Sequence, residues 1–224
     1  MLNQTNLMEL SPAMLLRGYS LGIFPMAKNR SAKNVHWIEP KMRAVFPLEK
    51  FHISRSLMKT VRKNIFSITC DKAFSAVLER CAAPSPFRSE TWINSAIKKA
   101  VSGLFEMGNA HSIETWYKNE LVGGLYGISI GGAFFGESMF SLMNNSSKVA
   151  LAHLIAFLRL GNFRLLDAQF ITDHLSKFGA IQVTSNEYLK CLETAIKTKS
   201  IFPSAVDGKV TMEELELIYQ AGRH

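Results

Sequence analysis

Three polar residues lie in apolar stretches of the sequence, where their chemistry would be strongest. Glu137 follows residues 121–136, which carry no charge, and stands at the end of a predicted buried strand. Asp167 and Gln169 lie two residues apart in segment 164–170, so their side chains point to the same side of an extended chain. An ionised carboxylate in apolar surroundings requires partners or a chemical role. We therefore treat these three as candidate catalytic residues, against the alternative of a solvated acid and a buried hydrogen-bonded pair.

Periodicity predicts the elements that hold these residues. From Ala110 the apolar residues alternate, which predicts three antiparallel strands in a meander. Segment 147–160 is apolar on nearly all sides, so we expect a buried helix there, with the strand of Asp167 returning beside it. The predicted fold class is α+β, in an order that resembles the GNAT-type acyltransferase architecture.

The positive charge of the chain is concentrated towards its N-terminus. The net charge is +8, from 26 Lys and Arg against 18 Asp and Glu, and the excess lies in residues 1–65. We predict a small basic N-terminal α/β domain over residues 1–65 and a catalytic domain over residues 66–224. A basic surface on such a domain is typical of proteins that bind nucleic acid phosphates. The alternative is a solvated charged face without a partner. In the helix predicted after Ser54, the cations of this surface are Arg55, Lys59, Arg62 and Lys63.

Cysteine spacing and hydropathy indicate the cellular compartment of the protein. Cys70, Cys81 and Cys191 show no C-x-x-C or metal-ligand spacing, and their odd number argues against a disulfide framework. The N-terminus lacks a basic region followed by an apolar run, and residues 121–136 are too short and too rich in glycine to span a bilayer. We expect a cytoplasmic protein without a membrane segment or a metal ion.

Several blocks of sequence occur together and in order. They are GIFP, TWIN, AHSIETW, GGLYG, FFGESMFS, NNSSKVAL and LLDAQ, between about residues 14 and 192. As a set they resemble the leucyl/phenylalanyl-tRNA–protein transferase family of bacteria. The resemblance implies an enzyme that moves leucine or phenylalanine, and by our expectation methionine, from aminoacyl-tRNA to the N-terminal Lys or Arg of a protein, marking it for N-end rule (N-degron) degradation. It also implies a GNAT-like domain joined to a small N-terminal domain, and we expect a monomer without a cofactor.

The resemblance also implies which residues bind the donor. Trp37 and Trp92 fall on aromatic positions near the terminal adenosine of the tRNA, although Met26 and His36 depart from the family pattern there. For both tryptophans, core packing is the structural alternative. The residues implied for the pocket of the aminoacyl side chain are Leu125, Phe134, Gly136, Met139 and Leu151.

The implied reaction assigns work to the three polar residues. An aminoacyl ester is already activated, so forming an amide requires positioning, removal of a proton from the attacking amine and stabilisation of the oxyanion. An α-amine has a pKa of roughly 8, so a weak base suffices. We predict that Asp167 accepts or relays the proton, that Gln169 orients the amine or the ester carbonyl, and that Glu137 pairs with the positive charge of the acceptor.

Two other classes of protein remain possible from the residues alone. A CoA-dependent acetyltransferase shares the architecture but carries a glycine-rich pyrophosphate loop before the central helix, whereas this chain has LMNNSSK there. A non-catalytic RNA-binding module would explain the basic N-terminal third, but it gives no reason for acids beside an apolar pocket.

Overall fold

The computed structural model describes residues 10–84, 89–203 and 208–222. Its helices are α1 (Pro12–Ser20), α2 (Arg55–Arg62), α3 (Phe74–Ala82), α4 (Ser95–Glu106), α5 (Ser146–Leu160), α6 (Asp173–Ser176), α7 (Ser185–Lys197) and α8 (Gly208–Ala221). Its strands are β1 (Phe24–Ala27), β2 (Val35–Ile38), β3 (Met42–Phe46), β4 (Ser67–Cys70), β5 (Ala110–Tyr117), β6 (Glu120–Ile130), β7 (Ala133–Ser141), β8 (Leu165–Gln169) and β9 (Ile181–Thr184). Across the described ranges, no helix is long and apolar enough to cross a membrane.

One large mixed sheet organises the fold, and the α+β class is confirmed. In the described part of the chain its strand order is β4-β5-β6-β7-β8-β3-β9, and β1 pairs with β2 in a separate small sheet. Strands β5, β6 and β7 form the predicted antiparallel meander. Helix α5 then leads to β8, which pairs with β7 in parallel.

The core has two halves, one on each face of the large sheet. Successive strand residues point to opposite faces, so Leu125 and Phe134 pack on the side of α2, α5 and α8. Tyr126 and Phe135 pack on the side of α1, α3, α4 and α7. Helix α5 is buried along most of its length, as its all-round apolar sequence predicts.

Strand β3 belongs to the segment 1–65 that we predicted as the N-terminal domain, but its hydrogen-bond partners are strands that follow residue 65. It lies between β8 and β9 in the large sheet, with Val45 opposite Asp167 and Arg43 opposite Val183. Helix α2 contributes Leu57, Met58 and Val61 to the same core half as α5. The sheets therefore put residues 42–62 with the large sheet, because β3 finds its hydrogen-bond partners there and leaves β1 and β2 as the separate small sheet.

Gly127 and Gly136 lie opposite each other on β6 and β7 but differ in the space around them. A Cβ on Gly127 would lie 2.3 Å from Phe134 Cε1 and 2.4 Å from the carbonyl oxygen of Phe135, whereas on Gly136 the nearest atom would be 3.5 Å away. We expect Gly127→Ala to lower the free energy of unfolding by about 1–3 kcal/mol through overpacking. Urea denaturation measures this, with Gly136→Ala as the matched control for folding; equal stability of the two variants would contradict the packing.

Candidate active site

A cavity of about 250 Å³ lies between the large sheet and α5, at the end of β8. Its wall is mainly apolar, and Glu137, Asp167 and Gln169 are among the residues that line it. The three polar residues singled out from the sequence are therefore brought together. The apolar part of the wall is formed by Phe46, Leu125, Met139, Leu151, Leu154 and Leu166.

Four of the five residues implied for an aminoacyl pocket line this cavity, namely Leu125, Gly136, Met139 and Leu151. Phe134 does not belong to the lining formed by the described residues. Its ring packs instead against Phe163 and Phe202, at centroid distances of 6.2 and 5.4 Å. Phe134 stands near the start of β7, opposite Ser129, so it supports the core beyond the cavity.

Glu137 owes its position to a β-bulge. Along the β6–β7 pair, Tyr126 lies opposite Ser138 and the next residue, Gly127, lies opposite Gly136. Glu137 is thus the extra residue of β7, without a partner in the ladder. A bulge kinks its strand and re-aims the side chain, which here brings a carboxylate to the cavity from a strand whose earlier residues are core.

Asp167 forms a buried ion pair with Arg43, a residue that the sequence analysis missed. Arg43 Nε and Nη2 donate to Oδ1 and Oδ2 of Asp167 at 2.9 and 2.5 Å, and the side chains are 1% and 0% exposed. Burial opposes the charge of Arg43, but the hydrogen bonds and charge of Asp167 raise the pKa of the guanidinium above its ordinary value. The cation also lies over the rings of Phe24 and Tyr188, at 4.7 and 4.5 Å. Arg43 is the single charged residue of β3. An isolated charge in an apolar strand is the signal that selected Asp167, and the same signal could have selected Arg43.

The carboxylate of Asp167 has no free acceptor site. Besides the two bonds from Arg43, Oδ1 accepts the backbone N–H of Gln169 at 2.8 Å and Oδ2 accepts the hydroxyl of Tyr188 at 2.9 Å. Two carboxylate oxygens offer about four acceptor positions, and these four donors fill them. The proton-accepting role predicted for Asp167 therefore does not fit its geometry; its contacts are those of a group that holds others in place.

Gln169 is held in an unusual backbone conformation, and it lines the cavity. Its φ is 56°, in the left-handed region that is uncommon for residues other than glycine. The bond from its backbone N–H to Asp167 stabilises this conformation. Its side-chain Nε2 is buried and has no hydrogen-bond partner among the described residues. An unpartnered buried donor is costly in the free protein, which indicates a group reserved for a ligand.

Glu137 differs from Asp167 in its environment. The hydroxyl of Tyr19 in α1 donates to Oε1 at 2.8 Å, and among the described residues nothing donates to Oε2. The pKa of Glu137 is raised to about 8: burial is the main cause and the negative charge of Asp167 contributes, while the hydrogen bond from Tyr19 and the charge of Arg43 act in the opposite direction. Sequence reasoning missed Tyr19, which precedes Glu137 by 118 residues.

Trp37 and Trp92, the two tryptophans implied for the adenosine site, are both associated with the small sheet of β1 and β2. The ring of Trp37, in β2, covers Gly18 of α1 so closely that a Cβ there would lie 2.2 Å from it. Trp37 thus covers α1 at the residue before Tyr19, and it remains 36% exposed. Trp92 precedes α4, and its carbonyl accepts the N–H of Ala27 at the end of β1. Trp92 packs against the core half that contains α1 and α4.

The predicted row of cations on α2 divides into two groups. Arg55, Lys59 and Lys63 are exposed. Arg62 forms a two-point ion pair with Glu216 of α8, at 2.7 and 2.6 Å, so it ties α2 to α8. Among the residues that the structure describes, no group of three or more His, Cys, Asp or Glu could hold a metal ion.

Comparison with known proteins decides the family. The model described as "Leucyl/phenylalanyl-tRNA protein transferase" matches residues 45–193, and the model of its N-terminal domain matches residues 8–41. The chain belongs to the leucyl/phenylalanyl-tRNA protein transferase family. The two family models meet between residues 41 and 45, at the start of β3.

Relatives named leucyl/phenylalanyl-tRNA–protein transferase are similar to this chain over most of its length. The Rhizorhabdus wittichii protein is 55% identical over 187 residues, covering 84% of this chain and 75% of the relative. The Zymomonas mobilis protein is 52% identical, covering 87% and 72%. The Nitrobacter winogradskyi protein is 50% identical, covering 90% of each. A solved structure of a functionally unknown conserved protein from Staphylococcus epidermidis gives a TM-score of 0.41 at 14% identity, covering 78% of this chain and 65% of that one.

For this member of the transferase family, the buried ion pair makes a testable contribution to stability. Asp167→Asn leaves the charge of Arg43 buried without a counter-ion and places an amide N–H₂ against its donors. We expect a loss of about 3–5 kcal/mol in the free energy of unfolding. The matched control is Glu216→Gln, the same change at a partly exposed Arg pair, for which we expect a far smaller loss. Urea denaturation compares the two, and similar losses would show that burial of the pair is not what stabilises the fold.

Proposed function

We propose that this protein transfers leucine, phenylalanine or methionine from aminoacyl-tRNA to the N-terminal Lys or Arg of acceptor proteins. The observation that carries the proposal is the apolar cavity with one unpartnered donor, Gln169 Nε2, and one accessible carboxylate, Glu137, at its edge. The family name of the relatives supports the donor. Acceptor modification would mark the protein for N-degron degradation in the cytoplasm, and we expect the enzyme to act as a monomer.

The cavity suits the side chain of the donor amino acid. A volume of about 250 Å³ is below the range of pockets that enclose whole ligands, so it fits one large apolar side chain with the ester at its edge. Met139 and Leu125 give the wall adaptable, unbranched or γ-branched groups. A β-branched donor would place its branch at the polar edge, beside Gln169 and Glu137, so the cavity favours leucine, phenylalanine and methionine over isoleucine and valine.

The residues at the edge divide the work of amide formation. Gln169 Nε2 can donate to the ester carbonyl and stabilise the oxyanion that forms there. Asp167 accepts the backbone N–H of Gln169, and Arg43 donates to Asp167, so the backbone that carries the Gln169 side chain is held before the substrate arrives. An aminoacyl ester is already activated, and the step requires no metal or nucleotide cofactor.

The remaining parts of the proposal concern the fold and the tRNA. The meander β5–β7, the buried helix α5 and the parallel return of β8 beside β7 support a GNAT-like architecture. Trp37, which covers Gly18 and is partly exposed, is suited to stack on the terminal adenosine. The carbonyl of Trp92 accepts the N–H of Ala27 in the same small sheet. The exposed cations of α2 would hold tRNA phosphates. Helix α2 is in turn linked to α5, which borders the cavity, by a hydrogen bond from Asn145 to Thr60.

The transfer reaction itself tests the proposal. Wild-type protein incubated with leucyl-tRNA and a peptide that begins with Arg should give a peptide one leucine longer, detected by mass spectrometry. An otherwise identical peptide with an acetylated N-terminus is the control for attack by the α-amine. Isoleucyl-tRNA should transfer at least ten-fold more slowly, since one branch next to the ester costs about 1–3 kcal/mol. No leucine on the free peptide would refute the function, and equal rates for both donors would refute the pocket assignment.

The tRNA surface is tested by salt dependence. Replacing Arg55, Lys59 and Lys63 with Gln should weaken tRNA binding and reduce the slope of log K against log salt concentration by about two to three, one contact per cation. Arg62 is left intact because it stabilises the contact with α8. The control of equal charge replaces Lys190, Lys197 and Lys199, which lie on or just after α7 at the other face of the sheet. Equal slopes for both triple variants would place the tRNA elsewhere.

A further inference from the structure

We propose that Glu137 is the general base of the transfer reaction and that Tyr19 is the positioning residue that sets its proton affinity. The inference rests on the proposed function, because it concerns the proton that the acceptor amine must lose. It exchanges the two roles predicted from the sequence, in which Asp167 accepted the proton and Glu137 held the positive charge of the acceptor.

The two carboxylates differ in whether an incoming amine can reach an oxygen. Asp167 is 0% exposed, and donors from Arg43, Tyr188 and Gln169 occupy both of its oxygens. Glu137 is partly exposed, lines the cavity, and has the bond from Tyr19 on Oε1 alone among the described residues. An amine at the cavity edge can therefore bond to Oε2 of Glu137, whereas at Asp167 it would have to displace an existing donor.

The charged groups around Glu137 give it a proton affinity suited to an amine. Its pKa is raised to about 8, chiefly by burial; the hydrogen bond from Tyr19 and the charge of Arg43 oppose the rise, and the charge of Asp167 adds to it. The α-amine of a peptide has a pKa of roughly 8. A base whose pKa is close to that of the group it deprotonates, and close to the working pH, is the most effective general base.

Besides Glu137 and Asp167, two titratable side chains line the described part of the cavity wall, Tyr126 and His174. His174 enters the wall from α6, and burial together with the charges of Lys148 and Lys177 lowers its pKa below the ordinary value. His174 therefore loses its proton at lower pH than Glu137 does. A change in rate around pH 8 would report Glu137 or the acceptor amine, and it would not report this histidine.

The proton follows a closed path in this scheme. The neutral amine attacks the ester carbonyl carbon and forms the C–N bond, and its proton passes to Oε2 of Glu137. The bond between the carbonyl carbon and the ribose oxygen then breaks, and the departing oxygen takes that proton to become a hydroxyl. Glu137 ends ionised, as it began, and the products are the new amide and the free tRNA terminus.

Tyr19 acts on the reaction through Glu137. Its ring is 0% exposed and packs on Phe135 at 4.8 Å. Burial, with the charge of Glu137, raises the pKa of its hydroxyl well above the ordinary value, so the group remains a donor. A donor stabilises the ionised carboxylate. Removing it with Tyr19→Phe keeps the buried ring and raises the pKa of Glu137.

The experiment measures kcat/KM for leucyl transfer to an Arg-initiated peptide from pH 6 to pH 10. Tyr19→Phe should shift the acidic limb of the profile to higher pH by about one to two units, the effect of one hydrogen bond to a charged group. The acceptor amine titrates identically with both enzymes, so it cannot produce the difference. Glu137→Gln should lower kcat by about 10²–10⁴-fold with little change in KM, since it keeps the volume and removes the base.

The double variant separates positioning from folding. In the Glu137→Gln background, Tyr19→Phe should no longer move the acidic limb, because no carboxylate remains for it to act on. Three outcomes would each overturn the proposal: an acidic limb that Tyr19→Phe does not move, a shift that persists in the double variant, or a kcat for Glu137→Gln within a few-fold of wild type. In each of these cases, transfer by the wild type would still support the proposed function. Absence of transfer by the wild type would remove both.

Discussion

Burial of the charges of Arg43 and Asp167 is the constraint on which the site depends. Neither ion could be left alone in this interior, because an unpaired buried charge costs several kcal/mol. The two-point ion pair between them therefore fixes β3 against β8. The remaining acceptor positions of Asp167 bind the hydroxyl of Tyr188 in α7 and the backbone N–H of Gln169. The guanidinium also donates to the carbonyl of Gly22, which ties in the turn before β1. One ion pair thus joins the small sheet, the large sheet and a helix around the cavity edge.

Two irregularities in the sheet turn this scaffold into a site. The bulge at Glu137 brings an acid to the cavity from β7, and a second register shift skips Ala168 in β8 between Asp167 and Gln169. Regular strands would have continued the alternation of core residues. The two acids that result lie in opposite environments: Asp167 is paired, fully bonded and inaccessible, whereas Glu137 keeps an accessible oxygen and a raised pKa. Two carboxylates that differ in this way are suited to different tasks, one structural and one chemical.

Local features of the fold could be predicted from the sequence, and tertiary partners could not. The meander, the buried α5 and the three polar residues of the edge follow from alternation, an all-round apolar segment and isolated charges. The partner of Asp167 lies 124 residues away on β3, and no local pattern connects the two. Charge counts likewise do not show that β3, which lies within residues 1–65, finds its hydrogen bonds in the large sheet. The contacts of Phe134 with Phe163 and Phe202, in place of the cavity wall, are likewise tertiary and have no local sequence pattern.

The central claim is that the cavity holds the donor side chain with its carbonyl carbon between Gln169 and Glu137. A crystal structure with an amide-linked leucyl-adenosine analogue tests it most directly. The account predicts the leucyl side chain against Leu125, Met139 and Leu151, with the carbonyl oxygen about 3 Å from Nε2 of Gln169 and open space beside Oε2 of Glu137 for an amine. A leucyl group bound outside the cavity, or a carbonyl directed away from Gln169, would contradict it.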